Sequence, residues 1–267
     1  MASRKEQKEA ARQRRLEQER VRAEKARRDR RLRILGGLVL GAAALIAVVI
    51  AVTSGGGSSA AAPKPGSPKA KAAAAKVSSL LAGIPQTGVR LGNPKAPVTM
   101  TEYGDLQCPI CKAFALGPEQ ELISKDVREG KVQIDYKSVS TATSNGPNPG
   151  IFPTQQSAAY AAGEQKLGWN YILLFYNEQG PEDTGYVTDN YLNGLAGQIP
   201  GLNFAKWNSD RQSSTLSQQV SSEEQSAAGQ NIHSTPTLIF KGPKSQTQPI
   251  DGGLDYSGLQ EAIKSVS

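Results

Sequence analysis

Hydrophobic and polar positions alternate over two short stretches of the chain and recur at helical spacing over several others. In residues 97–103, Val98, Met100 and Glu102 fall on one face and Thr99, Thr101 and Tyr103 on the other, the period-two pattern of a strand. Residues 132–136 (Val-Gln-Ile-Asp-Tyr) alternate in the same way. Between them, Cys108 to about Val127 reads as a helix with Phe114, Leu116, Leu122 and Ile123 as apolar positions. Gly117-Pro118 should kink it, because proline lacks the N–H that the helix ladder uses. Strand, helix and strand in this order form a βαβ unit with parallel pairing. A short strand over 87–91 and a turn at Gly92-Asn93-Pro94 precede the unit.

The next segment changes character. Residues 139–153 are rich in Ser, Thr, Asn, Gly and Pro and read as a loop. Residues 155–177 place Ala158, Ala161, Ala162, Leu167, Trp169, Ile172, Leu173 and Phe175 at helical spacing, in one or two helices. Residues 191–196 and 204–228 read as further helices. Residues 237–240 then form a strand, Gly242-Pro243 a turn, 248–251 an antiparallel partner, and 254–266 a closing helix.

One apolar run does not belong to this pattern. Residues 34–52 are 19 in number and carry no charge, enough for a helix that crosses a bilayer. The run is longer than the apolar core of a signal peptide, and no A-x-A cleavage site follows it closely. An uncleaved signal-anchor is therefore expected. Residues 53–82 are mostly Gly, Ser, Ala, Pro and Lys, a composition that reads as a flexible linker.

Charge sharpens this division. The net charge of +7 sits in the first 33 residues, with 14 basic against 6 acidic side chains there and 17 against 18 in the rest. A basic tail can attract nucleic acid or anionic lipid. Its position just before the apolar run favours a role in topology, with membrane lipid and not nucleic acid as its neighbour. The positive-inside rule places residues 1–33 in the cytoplasm and everything after Val52 outside. The domain plan is thus a tail (1–33), a transmembrane helix (34–52), a linker (53–82) and a folded domain (83–267).

Both cysteines of the chain lie in Cys108-Pro109-Ile110-Cys111. Two thiols at this spacing can close a small disulfide ring. Pro109 suits the first turn of a helix. Cys108 would then stand at a helix N-terminus, where N–H groups and the helix dipole favour a thiolate. A metal site is the rival reading. A structural zinc wants four ligands, whereas this chain offers two cysteines and one histidine, His233.

From about Gly83 to Ser265 the sequence resembles the DsbA-like branch of thioredoxin-fold oxidoreductases, in its membrane-anchored form. Four local matches carry the resemblance. Gly92-Asn93-Pro94-Lys95-Ala96-Pro97-Val98 leads into Glu102-Tyr103-Gly104-Asp105 and the two cysteines. Lys112-Ala113-Phe114 follows them, with Pro118 beyond. Residues 158–165 (Ala-Ala-Tyr-Ala-Ala-Gly-Glu-Gln) precede Trp169 and Leu173-Leu174-Phe175. Ser234-Thr235-Pro236-Thr237 stands ahead of a strand. The resemblance implies an α/β thioredoxin-like fold with a helical insertion over about 154–228.

It also implies roles. Cys108 is the nucleophile and Cys111 the resolving thiol. Pro236 is a cis-proline facing the disulfide, and Thr235 offers its main chain to an extended client peptide. Glu102, on the face of Val98 and Met100, is a buried acid able to relay the proton of Cys111. Strongly oxidising members of the family carry histidine where this chain has Ile110, so a milder oxidant is expected. Asn231 stands where a glycine is frequent, and asparagine tolerates left-handed backbone. His233 is expected at the surface of the loop.

The function implied is a membrane-tethered extracytoplasmic thiol–disulfide oxidoreductase. It would oxidise cysteine pairs of exported proteins without a bound cofactor. A membrane quinone-linked protein of the DsbB or vitamin-K-epoxide-reductase type would re-oxidise it. A reductase or isomerase of the same fold is one alternative. A membrane-anchored copper-handling module using Cys108, Cys111 and His233 is another.

Overall fold

The computed structural model describes residues 64–267. The basic segment 1–33, the expected span 34–52 and the start of the linker lie outside the described residues. Among the described residues, no helix is long and apolar enough to cross a membrane.

The first described element corrects the sequence reading. Residues 53–82 were expected to form a linker throughout, yet Pro68–Leu81 is a helix, α1. Ser67 caps it by accepting from the Ala70 N–H, and Pro68 occupies the first helical position. One face buries Ala70, Ala74, Val77 and Leu81. The Arg128 guanidinium closes the far end, donating to the carbonyls of Ala82 (2.8 Å) and Leu80 (2.7 Å). Alanine and lysine, which look like spacer composition, are also good helix formers. The surface that receives them belongs to residues far along the chain.

A six-stranded sheet follows: β1 (Gln86–Thr87), β2 (Arg90–Leu91), β3 (Val98–Gly104), β4 (Val132–Ser138), β5 (Thr237–Lys241) and β6 (Ile250–Asp251). Its order is β1-β2-β4-β3-β5-β6. The strand expected over 87–91 is a tight hairpin of two short strands. β3 and β4 pair in parallel, and β5 pairs antiparallel to β3. β3 is therefore central, with both edges satisfied, and its end delivers the active-site turn.

The helix expected from Cys108 to about Val127 is broken into α2 (Pro109–Ala115), α3 (Pro118–Leu122) and a π-helical turn, Ile123–Val127. The break falls at Gly117, whose backbone (φ −119°, ψ −107°) leaves the helix before Pro118 starts the next one. Between β4 and β5 lies the helical block. The loop expected over 139–153 contains a short helix, α4 (Ala142–Asn145), and a 3-10 turn, Pro149–Ile151. Then come α5 (Phe152–Gly163) and α6 (Gly168–Glu178), separated by Lys166 in the left-handed region (φ 61°). α7 (Asp189–Ala196) and α8 (Phe204–Asp210) lead to α9 (Ser214–Gly229). The single helix expected over 204–228 is two, because Ser213 caps a new start by accepting from the Thr215 N–H. α10 (Tyr256–Val266) closes the chain.

The core joins sheet and helical block. Trp169 and Trp207 are fully buried, and each indole N–H finds a carbonyl, Val89 O and Ala158 O, at 2.8 Å. α1 packs on α6. Leu81→Ala should therefore cost about 2–4 kcal/mol of stability. The measurement is a lower denaturant midpoint at an unchanged slope. A residue of an undocked linker would leave the midpoint where it is.

Candidate active site

Gly104, the last residue of β3, must be glycine: a Cβ there would stand 2.6 Å from the ring of Tyr136. The chain turns at once through Asp105, Leu106 and Gln107 to Cys108. The Cys108 N–H donates to Asp105 O at 3.0 Å, and Cys108 is the N-cap of α2 with extended backbone (φ −71°, ψ 123°). This arrangement aims the sulfur at the open helix end. The Cys111 N–H donates to Cys108 Sγ at 3.4 Å. Both cysteines are free thiols, so the structure represents the reduced form.

The opposing wall comes from the loop before β5. The Thr235–Pro236 bond is cis, and the Cys108 thiol donates to Thr235 O at 3.3 Å. Asn231 has left-handed backbone (φ 57°), the conformation expected of it in this turn. His233 is exposed on this loop. Among the described residues, no three His, Cys, Asp or Glu side chains come together to hold a metal ion. The donor set needed for the metal-handling alternative, Cys108 with Cys111 and His233, is thus not assembled.

Environment separates the two thiols. Cys108 is only 6% exposed, yet its pKa is lowered to about 7. The hydrogen bond from the Cys111 thiol is the largest cause. Thr235 and the N–H groups of Cys111 and Ile110 add to it, and burial opposes them. Cys111 has no exposed surface, and burial first, then its neighbour Cys108, push its thiol well above the ordinary range. The outer sulfur is therefore the thiolate and leaving group, and the inner one holds its proton. Pro109 and Ile110 are half-buried at the rim between them. Glu102 lies fully buried on β3, opposite Tyr136 of β4 and Leu238 of β5. Burial raises its pKa, and its charge is felt at Cys111.

Several residues to which the sequence assigns no role hold this geometry. The Asp105 carboxylate is buried and accepts from Gln107 N, Thr141 N, Thr143 N, Thr143 Oγ1 and Gln155 Nε2. It thereby fixes the loop after β4, and Thr141 Oγ1 from that loop meets Thr235 Oγ1 at 2.5 Å. Gln179 Nε2 donates to Leu106 O (2.8 Å) and Cys108 O (3.1 Å), while Lys112 Nζ donates to Gln179 O (3.3 Å). Asp105 stands next to the cysteine motif, which was the one available signal. The partners are too distant in sequence to be read from it.

A nucleophilic thiol at a helix end, a buried partner thiol and a cis-proline wall define a thiol–disulfide oxidoreductase, DsbA-like in layout. The chain belongs to the thioredoxin family, whose profile matches residues 85–265. It is 22% identical over 174 residues to the probable disulfide bond formation protein D of Bacillus cereus, covering 65% of this chain and 76% of that protein. Disulfide bond formation protein D of Bacillus subtilis is likewise 22% identical over 174 residues, covering 65% and 74%. Among solved structures, oxidised BdbD of Bacillus subtilis superposes with a TM-score of 0.56 at 22% identity, covering 68% of this chain and 95% of that one. Reduced DsbA of Mycobacterium tuberculosis gives 0.51 at 21%, covering 67% and 91%. These likenesses establish the shared fold.

The ultraviolet thiolate absorbance of the reduced protein should titrate in one step near pH 7, assigned to Cys108 by its loss in Cys108→Ser. Ile110→His, which adds a hydrogen-bond donor and potential positive charge, should lower that midpoint by about one unit or more. A strongly acidic midpoint in the unmodified protein would contradict the site's electrostatics.

Proposed function

We propose that this protein is a membrane-tethered, extracytoplasmic oxidase that introduces disulfides into exported proteins. The observation that carries the reading is the Cys108 thiol at the end of α2, held 3.3 Å from the carbonyl of Thr235 in the cis-proline loop. An extended client strand laid along Thr235 presents its cysteine to that sulfur. In the oxidised enzyme a client thiolate attacks Cys108 Sγ. The new S–S bond forms as the Cys108–Cys111 bond breaks, and the electron pair leaves on Cys111. The client's second thiolate then attacks the client sulfur of the mixed disulfide and expels the Cys108 thiolate. Two electrons pass from client to enzyme. A membrane quinone-linked protein of the DsbB or vitamin-K-epoxide-reductase type takes them on. The relatives named for disulfide bond formation support this direction.

The tether is part of the reading. With Pro68–Leu81 folded onto the domain, the spacer after the expected membrane span is residues 53–67. If these roughly 15 residues form the linker that their composition predicts, they would span roughly 20 Å root-mean-square, against about 30 Å for the whole of 53–82. The start of α1 is tied to α6 near the site: Lys69 pairs with Glu178 (3.1 Å), and the next residue, Gln179, contacts Cys108 O. A short spacer would keep the domain near the bilayer and the re-oxidant in it.

The second reading, a reductase or isomerase, draws on one observation: a Cys108 pKa of about 7 does not favour the reduced form as a strongly acidic thiolate would.

One labelling experiment tests direction and location, because the chain has no other cysteine. Intact cells carrying the full chain are treated with a membrane-impermeant maleimide, with and without prior mild reduction. The oxidase reading predicts labelling only after reduction. Labelling without reduction means that the pair rests as thiols, as in a reductase or isomerase. Labelling only in opened cells puts the domain inside.

A further inference from the structure

Glu119 is the second residue of α3, just past the break at Gly117. Like Glu102, it has no exposed surface. Among the described residues, none of the four carboxyl oxygens of Glu102 and Glu119 has a hydrogen-bond donor. The two side chains instead lie within hydrogen-bonding reach of each other. Two carboxylates offer only acceptors, so this contact needs at least one proton. Two buried charges side by side would also face desolvation and mutual repulsion together.

The other groups around Glu102 do not relieve it. Cys111 faces it from α2, Tyr136 from β4 and Tyr176 from α6, with Asp105 just past the end of β3. The Tyr136 hydroxyl donates to Gln156 Oε1 (3.3 Å), and the Tyr176 hydroxyl to Asp105 O (3.5 Å). Burial raises both carboxyl pKa values, and the neighbouring Glu102 raises Glu119 further. The pair therefore holds at least one proton, and with Glu102 read as the group that gives its proton to Cys111, Glu119 is the partner that keeps one. A protonated Glu119 in turn favours the charged form of Glu102.

We propose that Glu119 is a positioning residue for proton transfer at Cys111: as the neutral acid of the pair it donates a hydrogen bond to the Glu102 carboxylate, and so lets Glu102 release and retake a proton in a site with no other donor. The proposal rests on the reading of Glu102 as the proton carrier of Cys111. When the client thiolate attacks Cys108, the leaving Cys111 thiolate takes the proton of Glu102 and becomes a thiol. The Glu102 carboxylate left behind accepts from the Glu119 O–H. Glu102 regains a proton from those that the client's two thiols release. The client loses two electrons and two protons. The enzyme gains the electrons, one proton rests on Cys111, and the other passes to Cys108 or to solvent.

The test is the pH profile of disulfide reduction in the full chain, held in detergent. Dithiothreitol is the reductant, its own ionisation is corrected for, and rapid alkylation stops the reaction. Reduction needs protonated Glu102, so the rate falls as pH rises through the Glu102 pKa. Glu102→Gln should remove this limb. Glu119→Leu takes away the donor and should move the limb up by about one pH unit or more. Glu119→Gln keeps an N–H donor and should leave the limb close to its original place. An unmoved limb in Glu119→Leu, or an equal shift in both Glu119 variants, overturns the proposal. A limb that survives Glu102→Gln overturns the proton-carrier reading itself, a distinguishable failure. Should Glu119→Leu not fold, infrared spectroscopy of the unmodified chain decides. A protonated-carboxyl stretch at neutral pH that Glu119→Gln removes supports the proposal, and its absence overturns it.

Discussion

Asp105 accepts five hydrogen bonds at the point where the central strand ends and the active-site turn begins. Buried and acceptor-only, a carboxylate in this position is tolerated because donors surround it. Those donors come from the turn itself, from the loop after β4 and from α5. Through Thr141 the same loop reaches Thr235, so one side chain sets the relation between the cysteine-bearing helix and the cis-proline wall. The separation of Cys108 from Thr235 O follows from that frame. Gln179 pins the same turn from the helical block. A site that must pass a sulfur–sulfur bond to a client depends on such fixed placement.

The electrostatics divide the labour between two thiols only one turn apart. Cys108 has access to N–H groups and the rim; Cys111 has neither surface nor charge partner. The Ile110 side chain supplies packing but no hydrogen bond or charge. This agrees with a Cys108 pKa near that of an ordinary thioredoxin thiolate and not a strongly acidic one. The carboxyls of Glu102 and Glu119 are buried without a hydrogen-bond donor among the described residues, and the proposed proton route to Cys111 runs through them. The outer thiol is thus tuned for exchange, while burial keeps the inner one protonated.

Much of this was legible as local pattern. The alternation of Val98, Met100 and Glu102 announces a strand with a buried face, and Gly117-Pro118 announces the helix break. Cys108-Pro109-Ile110-Cys111 marks one wall of the site by itself, whereas Thr235-Pro236 could be assigned to the other only through the family resemblance. The rest depends on distant partners. Pro68–Leu81 has the composition of a tether and becomes a docked helix only because α6 and Arg128 receive it. Glu119 looks like an ordinary first-turn glutamate, and the bend at Gly117 turns it inward. Asp105 stood in plain view beside the motif, but its role lies in residues 36 to 50 positions away. The basic tail and the apolar run 34–52 speak to address alone, and that address is part of the proposal.

The central claim is that exchange passes through Cys108 against the Thr235 wall. Trapping of mixed disulfides tests it most directly. With Cys111→Ser, the resolving thiol is gone and the adduct at Cys108 cannot be cleared from within. Cells expressing this variant should accumulate client adducts that a reductant releases, and mass spectrometry should place the linkage on Cys108. Adducts of comparable abundance on Cys111 in a Cys108→Ser variant, or none with Cys111→Ser, would contradict the account.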